Sequence, residues 1–142
     1  MKQQNFKNHG KWVIGYHLIT FLAIIVLIIG AIRGLLNSSD DNLYSASLLV
    51  LISFILLFMF YFLRIFALKA QDRAINAEES LRYFILTGNP LSRKLSIRQI
   101  IGLRFAPDDE FVALAEKAER ENLSETEIKK EIKNWKPDKY RV

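Results

Sequence analysis

The chain has 142 residues, and 20 Lys and Arg against 15 Asp and Glu leave it with a net charge of +5. It has no cysteine, which excludes a disulfide framework, a thiolate metal site and a thiol nucleophile. With two histidines and no Gly-rich phosphate loop, zinc-protease helix motif or nucleophile elbow, the sequence reads as that of a non-enzyme without a cofactor or a metal site.

Residues 1–11 form a basic tail, with Lys2, Lys7 and Lys11 and no acid. Two runs free of Asp, Glu, Lys and Arg follow, residues 12–32 and 43–63. About 20 apolar residues at about 1.5 Å each cross the roughly 30 Å hydrocarbon core of a bilayer, so both runs are expected to be transmembrane helices. The first run is longer than the apolar core of a secretory signal and no A-x-A site closes it, so it is read as a retained anchor.

Flanking charge orients the two spans. Residues 33–42 carry Arg33 against Asp40 and Asp41, whereas Arg64, Lys69 and Arg73 follow the second run. Lys and Arg are retained on the cytoplasmic side, so both termini are expected inside and residues 33–42 outside, as a loop. Trp12 and Tyr16 at one end, Tyr44 at the other and Tyr61 on the return fit interfacial aromatic belts, with Arg64 and Lys69 snorkelling to the headgroups. So short a loop implies an antiparallel hairpin. Gly30 and Gly34, or Ser45, Ser47 and Ser53, would allow close helix approach, but the favoured reading places the two glycines at a helix end. His17, the ionisable group inside the first span, is read as a neutral imidazole hydrogen-bonded to Tyr16, Thr20 or the second span; a proton or ligand role is the alternative.

No Pro or Gly interrupts residues 43–87. Leu68, Ile75, Leu81 and Ile85 recur near helical spacing, with Phe84 alongside. The second span is therefore expected to continue through residues 64–87 as a cytoplasmic helical arm, about 65 Å in all, until Gly88 and Pro90 stop it. Three shorter helices are expected within the module of residues 88–142. Ser96 and Gln99 make a capping box ahead of Ile100, Ile101 and Leu103. Pro107 with Asp108, Asp109 and Glu110 opens the next, whose apolar face is Phe111, Leu114, Ala115 and Ala118. Ser124 and Glu127 make a second capping box, leading into Ile128, Ile132 and Trp135 until Pro137. These narrow stripes require packing on one another, on the arm or on a partner.

Between residues 91 and 105, Arg93, Lys94, Arg98 and Arg104 alternate with Leu95, Ile97, Ile100, Ile101 and Phe105, and no acid interrupts them. One reading is a basic amphipathic element that contacts anionic lipid or a partner. The favoured reading is a core helix whose arginines pair with Glu78, Glu79 or the acidic helix that follows. Mixed charge and the absence of a recognition motif give no expectation of a nucleic-acid partner.

Four stretches carry a resemblance: Gln4 to His9; Leu81 to Phe84 with Leu86 to Gly88; Arg104 to Ala106 with Asp109 and Glu110; and Ile128 to Lys130 with Ile132 to Trp135. In these the chain resembles a family of small bacterial two-span membrane proteins catalogued only as a domain of unknown function. The resemblance implies the two-span topology and a bacterial inner-membrane setting, and no activity, cofactor or functional residue. The expectation is an all-α membrane protein: an antiparallel two-helix transmembrane hairpin, a second helix extended into the cytoplasm, and a small helical C-terminal module. Its expected role is a non-catalytic membrane-anchored interaction or scaffold protein in the inner membrane, whose partners are the bilayer and another protein or a second copy. A small homo-oligomeric channel and an anionic-lipid-responsive sensor are the alternatives.

Overall fold

The computed structural model describes Asn5, Phe6, Gly10 and residues 12–137; Lys2, Lys7, Lys11 and His9 of the basic tail lie outside the described residues. The described residues form helices, with no strand among them. They divide into two compact units: one holds the two apolar helices up to Ala67, and the other holds Asn5, Phe6 and the chain from Leu68.

In the apolar unit a π-helical stretch, Gly15–Thr20, leads into α1, Phe21–Leu36. Within the widened turn, the Thr20 hydroxyl donates to the Gly15 carbonyl at 2.9 Å. After a 3₁₀ turn at Asp40–Asn42, α2 runs Leu43–Thr87 as one helix of 45 residues. Gly88 ends it with φ +73°, a left-handed conformation that suits glycine. Both helices are long and apolar enough to cross a membrane.

The facing surfaces of the two apolar helices show in the gaps between them. Tyr16, Thr20, Ala23 and Leu27 share a gap of about 490 Å³ with Leu56, Phe60 and Leu63. Leu27, Gly30 and Gly34 share another, about 830 Å³, with Asn42, Ala46 and Leu49. Within each set are positions three and four residues apart, which lie along one side of a helix. Ser53 continues the set on α2 and is fully buried, its hydroxyl turned back to the Val50 carbonyl at 2.7 Å.

Gly30 and Gly34 do not end the helix. α1 continues to Leu36, and Asn37 and Ser38 terminate it by donating side-chain hydrogen bonds to the carbonyls of Arg33 (2.7 Å) and Leu35 (2.9 Å). A Cβ added at either glycine would meet nothing within 4 Å, so these positions line a gap rather than a tight crossing. The turn between the helices is correspondingly shorter than residues 33–42.

In the second unit α3 (Ile97–Leu103), α4 (Asp108–Glu121) and α5 (Glu125–Glu131) share one core, to which α2 contributes Ile75 and the half-buried Tyr83. The core comprises Ile75, Leu95, Ile100, Ile101, Leu103, Phe105, Phe111, Leu114, Ala118, Ile128 and Ile132. Both capping boxes form, Ser96 with Gln99 and Ser124 with Glu127. α3 crosses α5 at Gly102, where a Cβ would lie 3.2 Å from the Glu125 carbonyl oxygen and from Ile128. Asn122, at φ 49°, turns the chain out of α4, and the buried Gln99 amide donates to the carbonyls of Ala118 (3.3 Å) and Leu123 (3.0 Å) around that turn.

The helical arm forms as expected, but its apolar residues divide between faces, and one expected helix end moves. Leu68, Ile75, Leu81 and Ile85 do not share a face: Ile75 is buried, and Leu81 and Ile85 are exposed. The step of six residues from Ile75 to Leu81 carries the side chain about 120° around a helix with a 3.6-residue turn. Likewise α5 stops at Glu131, so Ile132 and Trp135 reach the core from an extended segment. There the N–H groups of Lys133 (2.9 Å) and Asn134 (3.1 Å) donate to the Glu110 carboxylate, and that of Lys136 donates to the Phe105 carbonyl at 2.8 Å. These tertiary acceptors replace the carbonyls that a longer helix would supply.

The α5 cap gives a pH signature. Hydrogen bonds from Ser124 hold the Glu127 carboxyl below its ordinary range. A carboxylate whose folded pKa is depressed stabilises the fold above its unfolded pKa and loses that contribution as pH falls through the folded value. Amide exchange in residues 125–131, corrected for intrinsic rates, is therefore expected to accelerate as the protein is acidified below about pH 4.5. Glu127→Gln, which keeps the hydrogen-bonding shape and removes the charge, is expected to flatten this dependence.

Candidate functional site

Arg82 organises the second unit. It lies on the buried side of α2, where Asp72, Ile75, Glu79, Arg82 and Tyr83 recur at three- and four-residue steps. Its guanidinium donates to Glu79 at 2.9 Å, to Asp108 at 2.6 Å and to the Ala106 carbonyl at 2.7 Å, and lies 4.2 Å from the centre of the Phe111 ring. The planar fork thus joins α2, the turn before α4 and the first turn of α4 in one side chain. Glu79 is buried, so its pairing with Arg82 offsets a real desolvation cost; Asp108 is largely exposed and contributes less.

The acidic opening of α4 is occupied structurally. Asp108 holds Arg82, and Glu110 holds the Lys133–Asn134 backbone and the Asn134 amide at 3.0 Å. Phe105 stacks obliquely on Trp135, ring centres 4.9 Å apart, and Lys130 lies 5.9 Å from the ring of Phe6. Arg82, Ala106, Glu110, Asn134, Trp135 and Phe6 belong to the four stretches on which the resemblance rests. Arg82 meets Ala106, Glu110 meets Asn134, and Trp135 meets Phe105, so three of the four stretches are joined by direct contacts. Among the described residues no group of three or more His, Asp or Glu is placed to hold a metal ion.

The basic residues of the 91–105 stretch separate. Lys94 pairs with Glu119 at 3.3 Å and Arg98 with Glu125 at 3.6 Å, the acidic partners coming from α4 and α5. Arg104 is buried, with its guanidinium 4.6 Å from the Phe105 ring, so the four bases do not form one surface. Leu95, Ile100, Ile101 and Phe105 are in the core, and only residues 97–103 are helical. Arg93 remains exposed beside a shallow cavity of about 560 Å³ lined by Asn76, Leu81, Phe84, Leu91 and Ile97. Elsewhere Lys117 meets Glu131 at 2.6 Å, which raises its pKa.

In the apolar unit, His17 finds its partner locally. Its Nδ1 lies 3.0 Å from the Val13 carbonyl, and the ring stacks on Trp12 with centres 4.7 Å apart, without a bond to Thr20 or α2. Tyr16 instead makes the cross-helix bond, donating its hydroxyl to the Phe60 carbonyl while the two rings stack at 4.4 Å. Trp12, Tyr44 and Tyr61 are exposed and Arg64 is half-buried, with Lys69 exposed on the second unit. Arg82 and Phe60 were not singled out from the sequence. The three- and four-residue steps that place Arg82 beside Ile75 and Glu79 are the signal that finds it.

These features define a helical protein that joins an apolar two-helix unit to a small helical unit with a core of its own. Within that class, the chain belongs to the family of unknown function DUF6526, whose model matches residues 1–142. No curated protein and no solved structure matches the chain.

Removing the Arg82 side chain leaves the Glu79 carboxylate buried without its partner. Arg82→Ala is expected to cost about 3 kcal/mol, and Arg82→Lys to recover less than half of that loss, because an ammonium cannot reach three acceptors as a fork does. Urea unfolding in detergent micelles, followed by Trp135 emission in a Trp12→Phe background, measures both.

Proposed function

We propose that the protein is a non-catalytic membrane-anchored interaction protein, in which the apolar hairpin is the anchor and the module of α3–α5 is the part presented to a partner. The observation that carries this reading is the contrast between the two units. Val26, Leu49, Phe58 and Leu63 are more than half exposed in the first, a display of apolar surface that water does not tolerate and lipid does. In the second, the apolar side chains of α3–α5 are mostly buried, Ile97 excepted, and the charged ones are largely paired with each other, as befits a folded unit in water.

The same reading sets the orientation. Asp40 and Asp41 lie at the turn between the helices, and Arg64, Lys69 and Arg73 follow the second apolar run. The retention of basic flanks on the cytoplasmic side supports an orientation with both ends in the cytoplasm and the turn outside, and the resemblance in sequence implies a bacterial inner membrane. The acids at the head of α4 are engaged in holding Arg82 and the Lys133–Asn134 backbone, which supports a structural rather than a catalytic use.

Crosslinked capture from membranes tests the proposal, comparing the full chain with one that ends at Thr87. A partner retained by the full chain and lost with the shorter one is the expected outcome. An identical set of captured proteins from both chains refutes it.

A further inference from the structure

We infer that the outward face of α2 between Ala70 and Ile85 is a pairing surface for a second copy of this chain, lying parallel to the first. Ile75 and Glu79 are buried beneath the module, and the opposite side of the same helix carries Ala70, Ala74, Ala77, Leu81 and Phe84, all exposed. Leu81 and Phe84 are 60% and 52% exposed, and the adjacent Ile85 is 72% exposed. These positions advance by fours and threes, the seam of a two-stranded coiled coil, in which Ala70, Ala77 and Phe84 occupy one core position and Ala74 and Leu81 the other.

Charge selects the occupant. Arg73 and Glu78 flank the seam on opposite sides, both are exposed, and neither has an ion-pair partner within its own chain among the described residues. They stand five residues apart, at the two positions that face each other across parallel helices in register. Arg73 of each copy therefore meets Glu78 of the other, and the two-fold axis forms the pair twice. An antiparallel crossing brings like flanks together instead. The module covers the sides that carry Asp72, Ile75 and Glu79 and faces Leu81 and Phe84 only across the shallow cavity that Leu91 and Ile97 share with them, leaving Ala70, Ala74 and Ala77 open.

This inference rests on the proposed membrane anchoring, which gives both copies the same direction and confines them to two dimensions. Confinement raises the effective concentration at which a short alanine-rich seam associates.

The absence of cysteine allows single-cysteine oxidative crosslinking of the full chain in its membrane. Ala70→Cys, Ala74→Cys and Ala77→Cys are each expected to yield a disulfide-linked dimer, while Lys69→Cys and Asn76→Cys, exposed but off the seam, yield little. In the Ala77→Cys background, Arg73→Glu is expected to lower the dimer fraction about threefold through the lost ion pairs. Adding Glu78→Arg restores it. Dimer at only one of the three seam positions marks an antiparallel crossing and overturns the inference. Equal crosslinking on and off the seam, no dimer at all, or an adduct with a different protein also overturns it. Failure here leaves the anchor and module reading intact, since that reading is scored by capture that depends on residues after Thr87, whereas the seam ends before them.

Discussion

The second unit depends on one guanidinium. Arg82 is the point at which a long helix, whose own hydrogen bonds are satisfied internally, becomes attached to the chain that follows it. Apolar burial supplies the larger share of the free energy, through Phe105, Phe111, Leu103 and Ile128, but burial has no direction. The three acceptors of Arg82 and its stacking on Phe111 specify which turn of α2 meets which end of α4. Glu110, in the same first turn of α4, performs the matching task for the extended segment after α5, holding it by its backbone N–H groups. Between them, two charged side chains of the kind that a sequence suggests for a surface fix the geometry of the core.

Local signals were legible in the sequence wherever one residue acts on its near neighbours. The capping boxes at Ser96 and Ser124, the stop at Gly88 and the unbroken run from Leu43 to Thr87 all depend on contacts within one turn of helix. Signals failed where a distant group competes. α5 ends early because the Glu110 carboxylate, more than twenty residues away, takes the N–H groups that helix extension would use. Gly30 and Gly34 read as a helix end, yet a glycine weakens a helix by only about 1 kcal/mol, and the Asn37 and Ser38 caps lie further on.

The polar candidates were harder still. Arg104 shares its residue type and neighbourhood with Arg93 and Arg98, and only the path of the chain buries one and exposes the others. His17 attracts notice as an ionisable group in an apolar run, while the cross-helix bond belongs to Tyr16, whose hydroxyl reaches a main-chain carbonyl that has no sequence signature. Arg82 was present within a stretch already marked by the family resemblance. Its role emerges once its position relative to Ile75 and Glu79 is counted in helical turns.

The sequence separations of these bonds bear on biosynthesis. Arg82 waits for Asp108, 26 residues later, and Glu110 waits in turn for Asn134, 24 residues beyond it. No intermediate length of chain satisfies both. Ile75 and Glu79 therefore stay without their cover while almost all of the tail is synthesised, at a stage when the apolar hairpin is already complete. Because non-local contacts form only after the chain between them is available, the segment around Trp135 closes the unit. The timing of folding is thus set by the arrival of Asn134 and Trp135, and a growing polypeptide exposes the face that Arg82 later seals.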